Sequence, residues 1–134
     1  MQYVLDTNIC SYILKQHPAE IRERFSQLRP SDLCISCVTL HELLFGVYQN
    51  PQSRKVTHKI ITTFAENINV LVWNREAADH TAQIRDVMKR NGHGIETADL
   101  FIAGHARSIK ATLVTNNVKH FKKVPDILIE NWVK

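Results

Sequence analysis

The sequence predicts an α/β fold: a single domain in which helices flank a central parallel sheet of four to five short strands. Short apolar runs alternate along the chain with amphipathic segments of helical period. The 134 residues are enough for one domain with a real core, and no internal repeat or low-complexity tract divides them. Strands that alternate with helices are typical of βαβ units. We therefore expect one domain over residues 1–134, with helices on both faces of the sheet.

The first half of the chain is predicted to hold two strands and four helices. The strand "YVL" leads into "TNICSYILK", whose apolar residues recur at helical spacing, and a second helix follows Pro18 and extends to Leu28. The apolar run "LCIS" is the next strand. It precedes the helix "VTLHELLFGVYQ", which Asn50 and Pro51 end, and a longer helix fills about 53 to 66.

The second half repeats this alternation. "NVLVW" is a third strand, and an amphipathic helix over 76 to 91 ends at Asn91 and Gly92. "ADLFIAGHA" forms the next helix, "TLVT" a fourth strand and "ILIENW" a short edge strand. In parallel sheets, ligands bind outside the carboxyl ends of the strands, so acids that directly follow strands carry the most weight.

Composition narrows the classes of function. No apolar run approaches the roughly 18 to 20 residues of a membrane span, and the chain enters a strand at once, so we expect a cytoplasmic protein without membrane contact. The formal charge of +4 favours a polyanionic partner without requiring one. The three cysteines include one C-x-x-C, in "CISC", but residues three apart in a strand point to opposite faces. Buried reduced thiols are the expected state.

Three of the 13 carboxylates lie where the predicted sheet and helices converge. Asp6 directly follows the first strand, while Glu42 and Asp99 lie on inward faces of two helices. Each has an ordinary alternative: Asp6 as a helix N-cap, Glu42 as the partner of Thr39 in a capping box, and Asp99 as a first-turn dipole partner. Together they are costly to bury, because no Lys or Arg lies in the apolar segments around them. Oxygen-only ligands suit Mg²⁺ or Mn²⁺, which commonly activate water for phosphodiester hydrolysis.

Competing motifs fail in detail. "HELLF" begins like the zinc motif H-E-x-x-H, but Phe45 stands where the second His must be. A phosphoaspartate site would usually have a second acid where Asn8 stands. His41 and His105 flank the proposed acids and are interpreted as packing or supporting residues. Glu96, in the loop before the Asp99 helix, is left as a candidate accessory acid.

Four stretches carry a family resemblance. "VLDTN", "CISCVTLHELLFGV", "ADLFIAGHA" and "LVTNN" occur in the order and at the approximate spacing of PIN-domain ribonucleases, and specifically of the VapC toxins of bacterial toxin–antitoxin pairs. The resemblance covers nearly the whole chain. It implies a compact α/β/α fold and a Mg²⁺- or Mn²⁺-dependent endoribonuclease that acts on structured RNA such as tRNA and thereby inhibits translation. It also implies a VapB-type protein antitoxin and a homodimer.

Carried over residue by residue, the catalytic and metal-binding acids of the family fall on Asp6, Glu42 and Asp99. Glu42 would bind the metal through water or act as a general base. A further family position, commonly acidic, falls on Asn117, whose neutral side chain favours one firmly held cation. The polar residues expected to orient groups around the metal are Thr115, Thr7 and Asn8.

Two binding surfaces are also expected. Lysines of the densest basic cluster, "KHFKK", would hold the RNA backbone through Lys119, Lys122 and Lys123. Apolar residues on the early helices, Ile13, Ile21 and Phe25, are candidates for an antitoxin groove, although core packing is the favoured interpretation for each.

Two other functions stay open from the sequence: a nucleic-acid-binding module that has lost catalysis, and a DNA nuclease of the same fold. The three intact acids argue against the first. The small size of the chain argues mildly against the second.

Overall fold

The computed structural model describes residues 2–133 and contains one five-stranded sheet in the order β3-β2-β1-β4-β5. All four strand pairings are parallel, so the predicted sheet is confirmed. Met1 and Lys134, the two ends of the predicted domain, lie outside the described residues. The strands are β1 (Tyr3–Leu5), β2 (Leu33–Ser36), β3 (Asn69–Leu71), β4 (Thr112–Val114) and β5 (Leu128–Glu130).

Helices cover both faces of the sheet. Their bounds are α1 (Thr7–Lys15), α2 (Ala19–Ser26), α3 (Cys37–Tyr48), α4 (Arg54–Glu66), α5 (Arg75–Arg90), α6 (Thr97–Ser108) and α7 (Val118–Phe121). The short helix α7 was not predicted, because four residues are too few to show a helical period. In the described part of the chain, no helix is long and apolar enough to cross a membrane.

The central strand β1 separates two hydrophobic cores. Successive side chains of a strand point to opposite faces. Tyr3 and Leu5 accordingly pack with residues of α1 to α4, whereas Val4 packs with residues of α5 and α6. All three are buried, as expected for the middle of a parallel sheet.

The carboxyl ends of the strands meet at one edge of the sheet. The backbone amide of Asp6 donates to the carbonyl of Val114 at 3.0 Å and continues the pairing of β1 with β4. The amide of Thr115 donates in turn to the carbonyl of Glu130 at 3.0 Å. Residues that directly follow the central strands are therefore fixed by backbone hydrogen bonds, and this edge carries the site described below.

Helices α5 and α6 pack backbone against backbone at Gly104. A Cβ atom at this position would lie 1.8 Å from Thr81 Oγ1 and 2.7 Å from Thr81 Cα. The hydroxyl of Thr81 is buried and makes no hydrogen bond within residues 2–133. Gly104 therefore sets how closely α6, the helix of Asp99, approaches its neighbour.

Three expectations about apolar segments need correction. Strand β3 ends at Leu71 and not at Trp73, because Val72 is 77% exposed and the Trp73 amide donates to Cys37 Sγ at 3.4 Å. Helix α2 ends at Ser26 rather than Leu28.

The predicted antitoxin groove on the early helices is the third correction. Ile21 is fully buried, and Ile13 and Phe25 pack partly buried against the same core, because α1 and α2 turn their apolar faces to the sheet. Core packing, the favoured interpretation of these residues, is what the structure shows. Large apolar side chains that are exposed lie mainly on α3 and α4 instead: Phe45, Tyr48, Val56 and Ile60.

The cysteines agree with the expected reduced state. Cys10 and Cys34 are buried, Cys37 is half-buried, and all three are free thiols. Burial raises the pKa of the Cys34 thiol to about 11. The two cysteines of "CISC" lie on different elements, β2 and α3.

Candidate active site

Asp6 joins β1 to α1 and is almost completely buried. Its Oδ1 accepts the backbone N–H of Ile9 at 2.9 Å, so the predicted N-cap role is real. Burial raises the pKa of Asp6 to about 6; hydrogen bonds from Thr115 and Ile9 oppose the rise, and the nearby charges of Asp99 and Glu42 add to it. Asp6 is therefore both a helix cap and an acid that the fold makes hard to ionise.

Glu42 projects from α3 toward the start of α1. Ser36 caps α3, with its Oγ accepting the Val38 amide at 3.1 Å, so the capping box of Thr39 and Glu42 is wrong. The carboxylate of Glu42 instead accepts a hydrogen bond from the hydroxyl of Thr7. This contact between two separate helices orients Glu42 toward the same end of the sheet as Asp6.

Asp99 lies in the first turn of α6, with its side chain 20% exposed. Its Oδ2 lies 3.5 Å from Nδ1 of His120 on α7. Burial raises the pKa of Asp99, contact with His120 lowers it, and the charges of Glu96 and Glu42 raise it further. The helix dipole thus acts on an acid that also faces other carboxylates.

Of the predicted accessory residues, Thr7 and Thr115 reach the acids. Thr115 is fully buried, lies close enough to Asp6 to lower the pKa of its carboxyl, and accepts the Asn117 amide on Oγ1 at 2.9 Å. Asn117 occupies the N-cap position of α7 without capping it through its side chain, and Asn8 is exposed. In the part of the chain that the structure describes, neither asparagine side chain makes a hydrogen bond, so their roles stay predictions.

The contact between His120 and Asp99 was not indicated by the sequence. His120 belongs to the basic cluster on and after α7, whose lysines Lys119, Lys122 and Lys123 are exposed. The cluster therefore begins at the edge of the acidic site. No local pattern announces this contact, because Asp99 lies on a different helix.

The donor set has the chemistry of a site for a hard divalent cation. It consists of carboxylate and hydroxyl oxygens, and the burial and like charges that raise the pKa of Asp6 and Asp99 are what such a cation would relieve. Within residues 2–133, no three His, Cys, Asp or Glu side chains stand close enough together to hold an ion as placed. Each acid is engaged by its own neighbour instead: Asp6 by Ile9, Glu42 by Thr7 and Asp99 by His120.

An open groove of about 540 Å³ adjoins the site on the side of Glu42. Thr7 and Glu42 line it together with other residues of α1, α3 and α4. The acidic edge is thus reached from solvent along a surface that includes Glu42.

Comparison with known proteins gives consistent results. The family model for the PIN domain matches residues 3–127. The chain is 41% identical over 132 residues to the tRNA(fMet)-specific endonuclease VapC of Shigella flexneri, covering 98% of both chains. It is 38% identical over 135 residues to ribonuclease VapC1 of Haemophilus influenzae, covering 100% of both.

Solved structures agree in fold over the full length. A DNA-bound VapBC structure from Salmonella typhimurium matches with a TM-score of 0.93 at 38% identity, covering 99% of both chains. The VapBC-1 structure from nontypeable Haemophilus influenzae matches with a TM-score of 0.91 at 38% identity, covering 100% of both.

Proposed function

This chain belongs to the PIN-domain family and, within it, to the VapC ribonucleases, and we propose that it is the toxin of a toxin–antitoxin pair. It hydrolyses phosphodiester bonds in RNA, with tRNA as the substrate class, and so inhibits translation in the cytoplasm. The observation that carries the activity is the convergence of Asp6, Glu42 and Asp99 at the carboxyl edge of the sheet. The relative from Shigella flexneri, a tRNA(fMet)-specific endonuclease, supports tRNA as the substrate class.

Asp6, Asp99 and Glu42 would hold one Mg²⁺ or Mn²⁺. When bound, such an ion activates a water and offsets charge on the phosphoryl group. Residues of the chain orient these carboxylates: the Ile9 backbone amide donates to Asp6, and the Thr7 hydroxyl donates to Glu42. Glu42 would hold the ion through a water or, as the alternative, accept the proton of the attacking water on a carboxylate oxygen.

Asn117 limits the charge of the site. Its carbonyl oxygen adds a donor without adding a negative charge, which favours one firmly held cation over two. Asn8 lies beside Thr7 at the start of α1 and would contact the substrate side of the site, since it is exposed.

A VapB-type antitoxin is the proposed protein partner. The similar structures from Salmonella typhimurium and Haemophilus influenzae are of VapBC complexes, and they match this chain over 99% and 100% of its length. An antitoxin that covers the carboxyl edge of the sheet would exclude RNA from the acids. The homodimer that the family resemblance implies remains a prediction.

Cleavage of RNA in the presence of Mg²⁺ is the direct test. Purified protein should fragment total RNA with Mg²⁺ and leave it intact with chelator, while structured DNA stays intact in both. Fragmented DNA would favour the DNA nuclease, and bound but uncut nucleic acid would favour the binding module. Either result would overturn the proposed activity. Sequencing the RNA ends produced soon after expression would identify the cleaved bond.

Replacement of Asp99 by Asn should remove the activity and keep the fold. The change deletes one negative charge with almost no change in shape, so we expect cleavage to fall by about 100-fold or more. Glu76→Gln is the matched control, because Glu76 is an exposed acid in the first turn of α5. Equal rates for Asp99→Asn and Glu76→Gln would show that Asp99 has no part in the site.

Neutralising the basic cluster should weaken RNA binding and spare the chemical step. In a variant with Lys119, Lys122 and Lys123 changed to Gln, we expect KM to rise and kcat to change little. The salt dependence of binding should become shallower by about 0.7 to 0.9 per lost phosphate contact. Lys55→Gln with Lys59→Gln, on α4, is the control for charge alone. If the control variant raised KM as much as the triple variant, the lysines after α7 would not be the contact site of the RNA backbone.

A further inference from the structure

His105 is a buried polar residue in the middle of the fold. It lies on α6, six residues after Asp99, and only 2% of it is exposed. Its Nδ1 lies 2.8 Å from Oγ of Ser36, which is fully buried. Ser36 is the last residue of β2 and the N-cap of α3, the helix that carries Glu42. One hydrogen bond therefore links the helices of two of the three acids.

The hydrogen bonds around Ser36 run in one direction. Ser36 Oγ accepts the backbone N–H of Val38 at 3.1 Å, so its own proton is available to Nδ1 of a neutral imidazole. Burial lowers the pKa of His105, which keeps the imidazole neutral. The hydrogen bonds from Val38 to Ser36 and from Ser36 to His105 pair the Ser36 hydroxyl and Nδ1 of His105, which favours the burial of these two atoms.

A second contact joins the same two elements. The backbone N–H of Trp73 donates to Cys37 Sγ at 3.4 Å, at the start of α3. Its indole Nε1 donates to the carbonyl of Phe101 on α6 at 3.1 Å, and the two rings lie 5.0 Å apart. Helix α6 is thus held against the β2–α3 junction, Ser36 and Cys37, from the buried side by His105 and from the outer side by Trp73.

This attachment opposes a repulsion that the site creates. Glu42 on α3 raises the pKa of Asp99 on α6 by its charge, so the two helices carry like charges toward each other. Leu or Ile at position 105 would pack as well, but an apolar side chain has no preferred partner atom. A hydrogen bond to the N-cap of α3 fixes the position of α6 along a defined direction.

We propose that His105 is a positioning residue of the active site, and that its hydrogen bond to Ser36 sets the separation of Asp99 from Glu42. His105 touches neither RNA nor metal. It acts through α6, and the inference rests on the proposed function of these acids. His105 would therefore affect both metal affinity and the chemical step.

Two variants of His105 separate the hydrogen bond from the packing. His105→Leu keeps the volume and removes the bond, whereas His105→Asn places an amide group where Nδ1 was. We expect kcat of His105→Leu to fall by about 10-fold or more with KM within about twofold of the parent. The Kd for Mn²⁺, measured by isothermal titration calorimetry, should rise by about 10-fold. His105→Asn should recover most of both losses.

Ile102→Val is the matched control for general loss of stability. Ile102 is fully buried on the same helix and takes no part in the hydrogen bond. If His105→Leu matched Ile102→Val in kcat and in Mn²⁺ affinity, or if His105→Asn recovered nothing, the positioning role would be overturned. Should His105→Leu fail to fold, His105→Met, which also lacks the bond to Ser36 and leaves the N-cap of α3 intact, gives the same comparison.

The calorimetry also separates this inference from the proposed activity. A parent protein that binds Mn²⁺ and leaves RNA intact would refute the nuclease, while the Mn²⁺ affinities of the variants would still decide the role of His105. A parent that binds no Mn²⁺ would overturn both.

Discussion

Asp6→Asn is expected to abolish RNA cleavage and to make the metal-free protein more stable at neutral pH. Loss of a carboxylate that would hold the cation should lower kcat by about 1,000-fold. Asn keeps the N-cap hydrogen bond to Ile9 and removes a buried charge. Activity and stability should therefore change in opposite directions.

The pH dependence of this gain follows from the pKa of Asp6, which is about 6 in the fold and 3.8 ordinarily. Between these values the folded protein holds a proton that the unfolded chain has lost, so stability falls as pH rises from about 4 to about 6. Above pH 6 the buried charge costs about 1 to 3 kcal/mol, and Asn avoids this cost. At pH 4 both side chains are neutral in the fold, and the advantage of Asn should largely vanish.

Denaturant unfolding with chelator at pH 4 and at pH 7.5 measures both parts of this prediction. Asp79→Asn, at an exposed position on α5, is the control for loss of an acid as such. Added Mn²⁺ should stabilise the parent and not Asp6→Asn. A variant that is less stable than the parent at pH 7.5 would show that Asp6 is not destabilised by its surroundings, and a variant that cleaves RNA normally would remove it from the site.

Gly104→Ala is expected to cause the largest loss of stability among single-methyl changes in α6. The added Cβ would overlap Thr81 Oγ1 and also come within 2.7 Å of Thr81 Cα, so a side-chain rotation is not enough and the two helices must separate. Overpacking of this kind costs about 3 kcal/mol or more where the obstacle is backbone. Because α6 carries Asp99 and His105, we also expect the folded Gly104→Ala variant to cleave RNA more slowly than the parent protein.

Gly46→Ala provides the opposite control. Gly46 lies in α3 with no atom within 4 Å of its Cβ position, so alanine should stabilise the protein by about 0.5 to 1 kcal/mol through helix propensity. Combining Gly104→Ala with Thr81→Ala should recover little, because Thr81 Cα remains in the way. A full recovery would mean that only the hydroxyl limits the approach of the two helices.

The local pattern of apolar residues was sufficient to predict most of the helices and strands. Helix α1 occupies the predicted "TNICSYILK", and β1 and β2 occupy "YVL" and "LCIS", because period and composition were clear over their whole lengths. The end of β3 was wrong, because "VLVW" is apolar throughout and only tertiary contacts show that Val72 faces solvent. Exposure of an apolar residue is not visible in a sequence pattern when its neighbours are equally apolar.

The candidate site was predictable as a set of residues and not as a set of contacts. Strand ends and inward helix faces pointed to Asp6, Glu42 and Asp99 together. Two of these acids contact partners that are distant in the chain: Thr7 for Glu42 and His120 for Asp99. The same holds for the hydrogen bond between Ser36 and His105. Such pairs follow from how helices pack across the sheet, and no spacing within one segment encodes them.

Because β1 lies in the middle of the sheet, its pairing needs a strand that is synthesised late in the chain. Tyr3 pairs with Leu33 on one side and with Thr112 on the other, and the Asp6 amide is fixed by Val114. A nascent chain that has reached Glu96 contains neither Asp99 nor the strand that anchors Asp6. Long-range pairings of this kind close last. The pairing that anchors Asp6 therefore needs at least the first 114 of the 134 residues, so the acidic site cannot be complete until most of the chain has been synthesised.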